Sequence, residues 1–151
     1  MKPVVIDASM AAAWSLEDEK NEAVERIFDE VKERLLKRFV PTIFWHETRS
    51  IFLKNERRGK ITSEESLSLL ADLRDLEPIL RDTGDDAQVM ALARKYGLST
   101  YDAAYLSVAL ELGAILATND RKLARAARAF RCRVAHDFRA GRGRVTLLSG
   151  A

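Results

Sequence analysis

The sequence predicts an α/β fold, a three-layer α/β/α domain on a mostly parallel central sheet, and three observations lead there. Short apolar runs rich in β-branched residues, such as Pro3–Ile6, are too brief for helices and read as buried strands. Charged segments with apolar residues at helical spacing separate these runs. Two of the runs lead directly into acidic positions, Ile6 into Asp7 and Ala117 into Thr118-Asn119-Asp120. Sheets of this kind place their ligands at the carboxyl ends of the strands, so a site is expected there.

Element by element, Pro3–Ile6 is the first strand and Ser9 is positioned to cap a short alanine-rich helix reaching about Trp14. A longer helix is expected from about Asp18 to Lys37, with Val24, Ile27, Phe28, Val31 and Leu35 on one stripe. Arg38–Val40 reads as a second strand stopped by Pro41, and a helix from about Ile43 to Arg58 follows, closed by Gly59. Ser63 and Glu65 open another helix. Pro78–Leu80 is a candidate third strand, and Gly84-Asp85 opens a helix that ends at Tyr96-Gly97. Ser99 or Thr100 caps a helix over Tyr101–Leu112, Gly113 ends it, and Ala114–Ala117 is a strand. The last helix runs from about Arg121 to Phe130, with further short strands near Arg133–Ala135 and Val145–Leu148.

At 151 residues and 47% hydrophobic content, a single domain over residues 1–151 is expected, without repeats or interior linkers. No segment approaches the ~20 apolar residues that span a bilayer, and the N-terminus has no secretory pattern, so a cytoplasmic protein without a membrane partner is expected. The lone cysteine, Cys132, allows neither an internal disulfide nor a thiolate zinc site. Net charge is only +2, yet nine of the 25 basic residues and one of the 23 acids, Asp137, fall between positions 121 and 144. By itself such a run is as well explained by a solvated surface; it gains meaning beside a site that handles phosphate.

Asp7, Asp102 and Asp120 all fall at or near predicted helix starts, where carboxylates accept bonds from free backbone amides, so capping alone accounts for any one of them. Glu47 is different. It lies mid-helix with Ile43, Phe44 and Ile51 at i−4, i−3 and i+4, so its carboxylate leaves from the apolar stripe. Asp102 repeats the pattern, with Tyr105, Leu106 and Ala109 at i+3, i+4 and i+7. Inward carboxylates must be neutralised, paired or bound to metal, and two on helices with two at strand ends point to a shared cation. An all-oxygen set favours magnesium, or manganese, over zinc. His46 is rotated by about 100 degrees from Glu47 on a helix and reads as a packing or surface residue; His136 lies in a late irregular stretch. No nucleophile elbow, P-loop or dinucleotide-binding glycine set is present.

Taken in order, Val5-Ile6-Asp7-Ala8-Ser9, Pro41 with Glu47 in the next helix, Thr100-Tyr101-Asp102-Ala103-Ala104-Tyr105, and Leu116-Ala117-Thr118-Asn119-Asp120-Arg121-Lys122-Leu123 resemble PIN-domain nucleases. Within that family the likeness is to the VapC-type toxins of toxin-antitoxin pairs, and it covers roughly Val4 to Arg133. The resemblance implies a PIN-like fold and a magnesium-dependent endoribonuclease, with Asp7, Glu47, Asp102 and Asp120 as the metal-binding catalytic acids and Ser9 and Thr118 as supporting polar residues. It also implies an RNA substrate cut to 5'-phosphate and 3'-hydroxyl ends, a cognate antitoxin protein and a homodimer. Where such proteins often carry asparagine one turn after the helical glutamate, this chain has Ser50.

The chemistry expected is phosphodiester hydrolysis by metal-activated water. Arg121, Arg125 and Arg128, at i, i+4 and i+7 after Asp120, are the candidate RNA-contacting residues. An aspartyl phosphatase using Asp7 would ordinarily need a second aspartate two residues on, where Ser9 stands. The alternatives kept open are a PIN-domain RNA-processing nuclease without an antitoxin and a non-enzymatic PIN-like RNA-binding module.

Overall fold

The structure, a computed structural model, describes residues 2–33 and 36–135. Among them the chain runs β1 (Lys2–Ile6), α1 (Ala8–Ser15), a 3-10 turn (Glu17–Glu19), α2 (Glu22–Lys32), β2 (Leu36–Val40), α3 (Ile43–Arg57) and α4 (Ser63–Asp75). It continues through β3 (Ile79–Leu80), α5 (Asp86–Tyr96), α6 (Thr100–Leu112), β4 (Ile115–Ala117), α7 (Arg121–Ala129) and β5 (Val134–Ala135). The strands form one sheet in the order β3-β2-β1-β4-β5. Every pair is parallel; Val5 stands beside both Phe39 of β2 and Leu116 of β4.

This order determines the layers. Right-handed crossovers from β1 to β2 to β3 carry α1 to α4 over one face, and the return to β4 and β5 carries α5 to α7 over the other. Helix contacts follow that division, α1 meeting α2 and α3, α3 meeting α4, and α6 meeting α5 and α7. A strand covered on both faces must be apolar on both, which is why β1 reads as an unbroken run rather than an alternation. Val4, Val5, Ile6, Leu116 and Ala117 are all buried.

Several sequence expectations shift at element ends. Asp7, not Ser9, caps α1, because Asp7 is the residue whose backbone is still extended at the end of β1. The expected helix over Asp18–Lys37 is shorter. Glu17–Glu19 forms a separate 3-10 turn, Asn21 caps α2 by accepting from the Val24 amide at 2.9 Å, and Lys37 is drawn into β2 by pairing with Pro3. The stripe itself is correct: Val24, Ile27 and Val31 are buried, with Phe28 packed against them. Thr62, one residue before Ser63, opens α4 in a reciprocal capping box with Glu65. Gly97 and Gly113 end α5 and α6 at φ of 61° and 58°, the left-handed conformation that glycine adopts without strain. Leu35, His136, the Val145–Leu148 strand and the basic run beyond Ala135 lie outside the described residues.

Candidate active site

The order of the sheet reverses between β1 and β4, and two aspartates, Asp7 and Asp120, follow their carboxyl ends. The Asp7 amide donates to the Ala117 carbonyl at 3.1 Å, so the ladder itself determines where this residue stands. Its Oδ1 accepts from the Met10 amide at 2.9 Å and the Ser9 hydroxyl at 2.7 Å, and its Oδ2 accepts from the Thr118 hydroxyl. Ser9 Oγ also accepts the Asn119 amide at 2.9 Å, and Thr118 Oγ1 accepts the Asp120 amide at 3.0 Å. These two hydroxyls therefore tie the start of α1 to the loop after β4. Asp120 caps α7, accepting from the Leu123 amide at 2.7 Å.

Two helices bring in the other acids. Asp102 lies in the first turn of α6 but is not its cap; Ser99 is, accepting the Asp102 amide at 3.1 Å. Glu47 leaves the middle of α3 beside buried Phe44 and half-buried Ile51, and is itself half-buried. His46 and Ser50 on the same helix are exposed.

Electrostatics couple the four. Asp7 is 2% exposed, and burial pushes its carboxyl from 3.8 up to about 7, against the lowering effect of bonds from Thr118, Met10 and Ser9; Asp102 adds to the rise. Glu47 is raised by burial and by the charge of Asp102, with the Tyr105 hydroxyl working the other way. Asp102 is raised by burial and by Asp120, while Ser99 and Lys122 lower it. Asp102 thus joins the set: its charge acts on Asp7 and Glu47, the charge of Asp120 acts on it, and this repulsion opposes full ionisation.

Two members of this neighbourhood were not singled out from sequence. Tyr105 sits one turn after Asp102 and reads as a packing residue, yet its hydroxyl faces Glu47 and Asp7. Lys122 belongs to the basic run, yet its Nζ lies over Gly97, 3.3 Å from where a β-carbon there would stand, and its charge reaches Asp102. For Tyr105 the available signal was its spacing from Asp102; for Lys122 it was its place two residues after Asp120.

Among the described residues no three acidic, histidine or cysteine side chains stand close enough to form a ready cage for a metal ion. The donor chemistry nevertheless fits a hard, hydrated cation. All candidate donors are carboxylate oxygens, and Oε1 of Glu47 is buried without a hydrogen-bond partner. Magnesium retains several waters and binds through few carboxylates with substrate phosphate completing its shell, so it does not require a closed protein cage.

On α7, Leu123, Ala124, Ala126 and Ala127 face inward, and Arg121, Lys122 and Arg125 are exposed. Arg128, expected on the same face as Arg121 and Arg125, is half-buried, and burial lowers its pKa. A cleft of about 540 Å³ opens elsewhere, beyond the far ends of α1 and α3, lined by residues such as Leu16, Asn55, Ile61 and Leu69, and by none of the four acids.

Residues 4–129 match the PIN domain. The chain belongs to the PIN-domain family. It is 32% identical over 125 residues to Ribonuclease VapC3 of Pyrobaculum aerophilum, an overlap of 80% of this chain and 92% of that protein. Among solved structures, PAE2754 from Pyrobaculum aerophilum superposes with a TM-score of 0.65 at 25% identity, covering 83% of this chain and 79% of that one. FitAcB from Neisseria gonorrhoeae shares the fold, with a TM-score of 0.60 at 18% identity over 89% of this chain and 96% of its own. The matched span of this PIN domain contains all four acids and ends at the last residue of α7. Among the described residues no helix is long and apolar enough to cross a membrane.

Proposed function

We propose that this PIN domain is a magnesium-dependent endoribonuclease, manganese serving as an alternative ion, and the toxin of a toxin-antitoxin pair. The observation that supports the proposal is that burial and neighbouring charge raise Asp7, Glu47 and Asp102 beside the β1/β4 switch point, Asp102 acting on the first two and Asp120 acting on Asp102. A solitary structural role does not call for that arrangement, because like charges brought together destabilise an empty site. The kinship to a VapC ribonuclease supports RNA as the substrate and a small cognate antitoxin as the partner. A single-domain, cytoplasmic homodimer completes the proposal.

In this scheme Asp7, Glu47, Asp102 and Asp120 hold the ion, Ser9 and Thr118 hold Asp7 and the Asn119-Asp120 loop, and Arg121 and Arg125 contact the RNA backbone, with Arg128 at the edge of that face. The chemistry supplied by a bound divalent ion is charge neutralisation at the phosphoryl group and a lowered pKa for coordinated water. The chain's own contribution is placement: Asp7 is immobilised by three donors, whereas Glu47 retains an oxygen with no competing bond. Hydrolysis would leave 5'-phosphate and 3'-hydroxyl ends.

The test is RNA cleavage by purified wild type, Asp7→Asn and Glu47→Gln proteins, with and without excess chelator. Cleavage should fall by at least about 100-fold in either variant and in chelator, the scale expected when a charge-stabilising group is lost from an active site. Undiminished cleavage by the wild type in chelator, or by Asp7→Asn, would rule out the metal-cluster mechanism.

A further inference from the structure

Tyr105 belongs to α6, one turn after Asp102, and its side chain is 1% exposed. Three elements converge on its hydroxyl. Glu47 reaches it from α3, Asp7 adds charge from the end of β1, and the Ala8 amide at the start of α1 is directed toward the same oxygen. Yet neither the Tyr105 hydroxyl nor Oε1 of Glu47 completes a hydrogen bond of ordinary geometry, although both atoms are buried.

Phenylalanine would fill the same space without burying a hydroxyl that lacks a full partner, so packing alone does not account for tyrosine here. Glu47 is the acid that most needs a neutral donor. It is not a helix cap, as Asp7 and Asp120 are, and it lacks the Ser99 hydroxyl that acts on the Asp102 carboxyl. We infer that Tyr105 is a positioning residue, whose hydroxyl holds one oxygen of Glu47 and turns the carboxylate toward the other three acids. The inference rests on the metal-dependent nuclease proposed above. Partners that orient a ligating carboxylate contribute about 10 to 100-fold to metal affinity or activity when present.

The experiment is a magnesium titration of thermal stability on the full chain, wild type against Tyr105→Phe, with RNA cleavage followed over the same magnesium range. The magnesium concentration at half-maximal stabilisation should rise about tenfold or more in Tyr105→Phe, and cleavage should recover toward the wild-type rate at saturating magnesium. Equal half-points in the two proteins would overturn the inference and leave Tyr105 as a core ring. If magnesium fails to stabilise even the wild type, the metal-dependent reading itself falls, and the role of Tyr105 with it.

A second measurement needs no change at Tyr105. The chain has three tyrosines, so Tyr96→Phe with Tyr101→Phe leaves Tyr105 as the sole one. Its near-ultraviolet difference spectrum should shift on adding magnesium, and the shift should vanish when Glu47→Gln is added. An unchanged tyrosine spectrum under conditions where magnesium raises the melting temperature would equally overturn the inference.

Discussion

Asp7→Asn in the metal-free protein gives the sharpest measurement of the site, because removal of one charge should stabilise the fold at one pH and not at another. The native carboxyl is held at about 7 against 3.8 for an ordinary aspartate. Between those values the native state binds a proton that the unfolded chain has already lost. Stability from Asp7 is therefore fully present below about pH 4 and declines as pH rises, until the native carboxyl has ionised near pH 7. Each pKa unit corresponds to about 1.36 kcal/mol, so the shift sets a ceiling of roughly 4 kcal/mol at pH 8. Asparagine escapes that loss and can keep the hydrogen bonds: its Oδ1 accepts from Met10 and Ser9, and its Nδ2 donates to Thr118, whose proton then turns to Ser9 3.3 Å away. Urea denaturation in chelator at pH steps from 4 to 8 measures the difference directly. The advantage of Asp7→Asn should grow across this window and level off above pH 7. A difference that stays constant with pH, or a variant less stable throughout, would show an ordinary capping carboxylate and refute the electrostatic account.

The remaining predictions test other parts of the molecule. Glu47→Gln should leave metal-free stability unchanged or improved and weaken the stabilisation given by magnesium; a lower metal-free melting temperature with an undiminished magnesium shift would make Glu47 structural. Thr62→Ala removes one half of the α4 capping box and should cost about 1 kcal/mol, seen as a drop of roughly 2 to 4 °C in melting temperature, with RNA cleavage unaffected. Arg121→Gln together with Arg125→Gln, in an Asp7→Asn background, should flatten the dependence of log RNA affinity on log salt by about 0.7 to 0.9 per lost contact. Arg128→Gln should have a smaller effect on that slope because its side chain is half-buried, and an equal or larger effect would refute that weighting.

Legibility in the sequence followed the physics of each signal. Strands buried on both faces are continuous apolar runs, and β1 and β4 were visible for that reason, as was their passage toward Asp7 and Asp120. Glycine caps at Gly97 and Gly113 were equally visible, because the left-handed conformation excludes most other residues. The expected helix reaching Lys37 went wrong where two local rules compete. Asp18 and Asn21 are both acceptable caps, and only the tertiary pairing of β2 with β1 withdraws Lys37 from the helix. The surroundings of Arg128 and Tyr105 were less legible for a different reason. Helical spacing gives the direction in which a side chain leaves its helix, but not whether a neighbouring element covers it, and the burial of Arg128 and the acidic surroundings of Tyr105 belong to that second question.

The capping and catalytic explanations of the aspartates, opposed when the sequence is read one residue at a time, are physically complementary. Asp7 and Asp120 cap α1 and α7, and Asp102 occupies the first turn of α6, so three of the four acids sit at the positive ends of helices. The amides at those ends fix the Asp7 and Asp120 carboxylates in position, and that of Met10 works against the rise in pKa that burial imposes on Asp7. A site made only of buried, unsupported carboxylates would lose its charge or its structure in the metal-free protein. Glu47 is the exception, mid-helix on α3, with a buried oxygen that has no hydrogen-bond partner and, on the inference above, the Tyr105 hydroxyl to orient it. The helix-end acids are therefore rigid and Glu47 is the one whose position depends on a single side-chain donor. Metal affinity should be more sensitive to changes around Glu47 than to changes around Asp120, an order that magnesium titration of the corresponding variants would check.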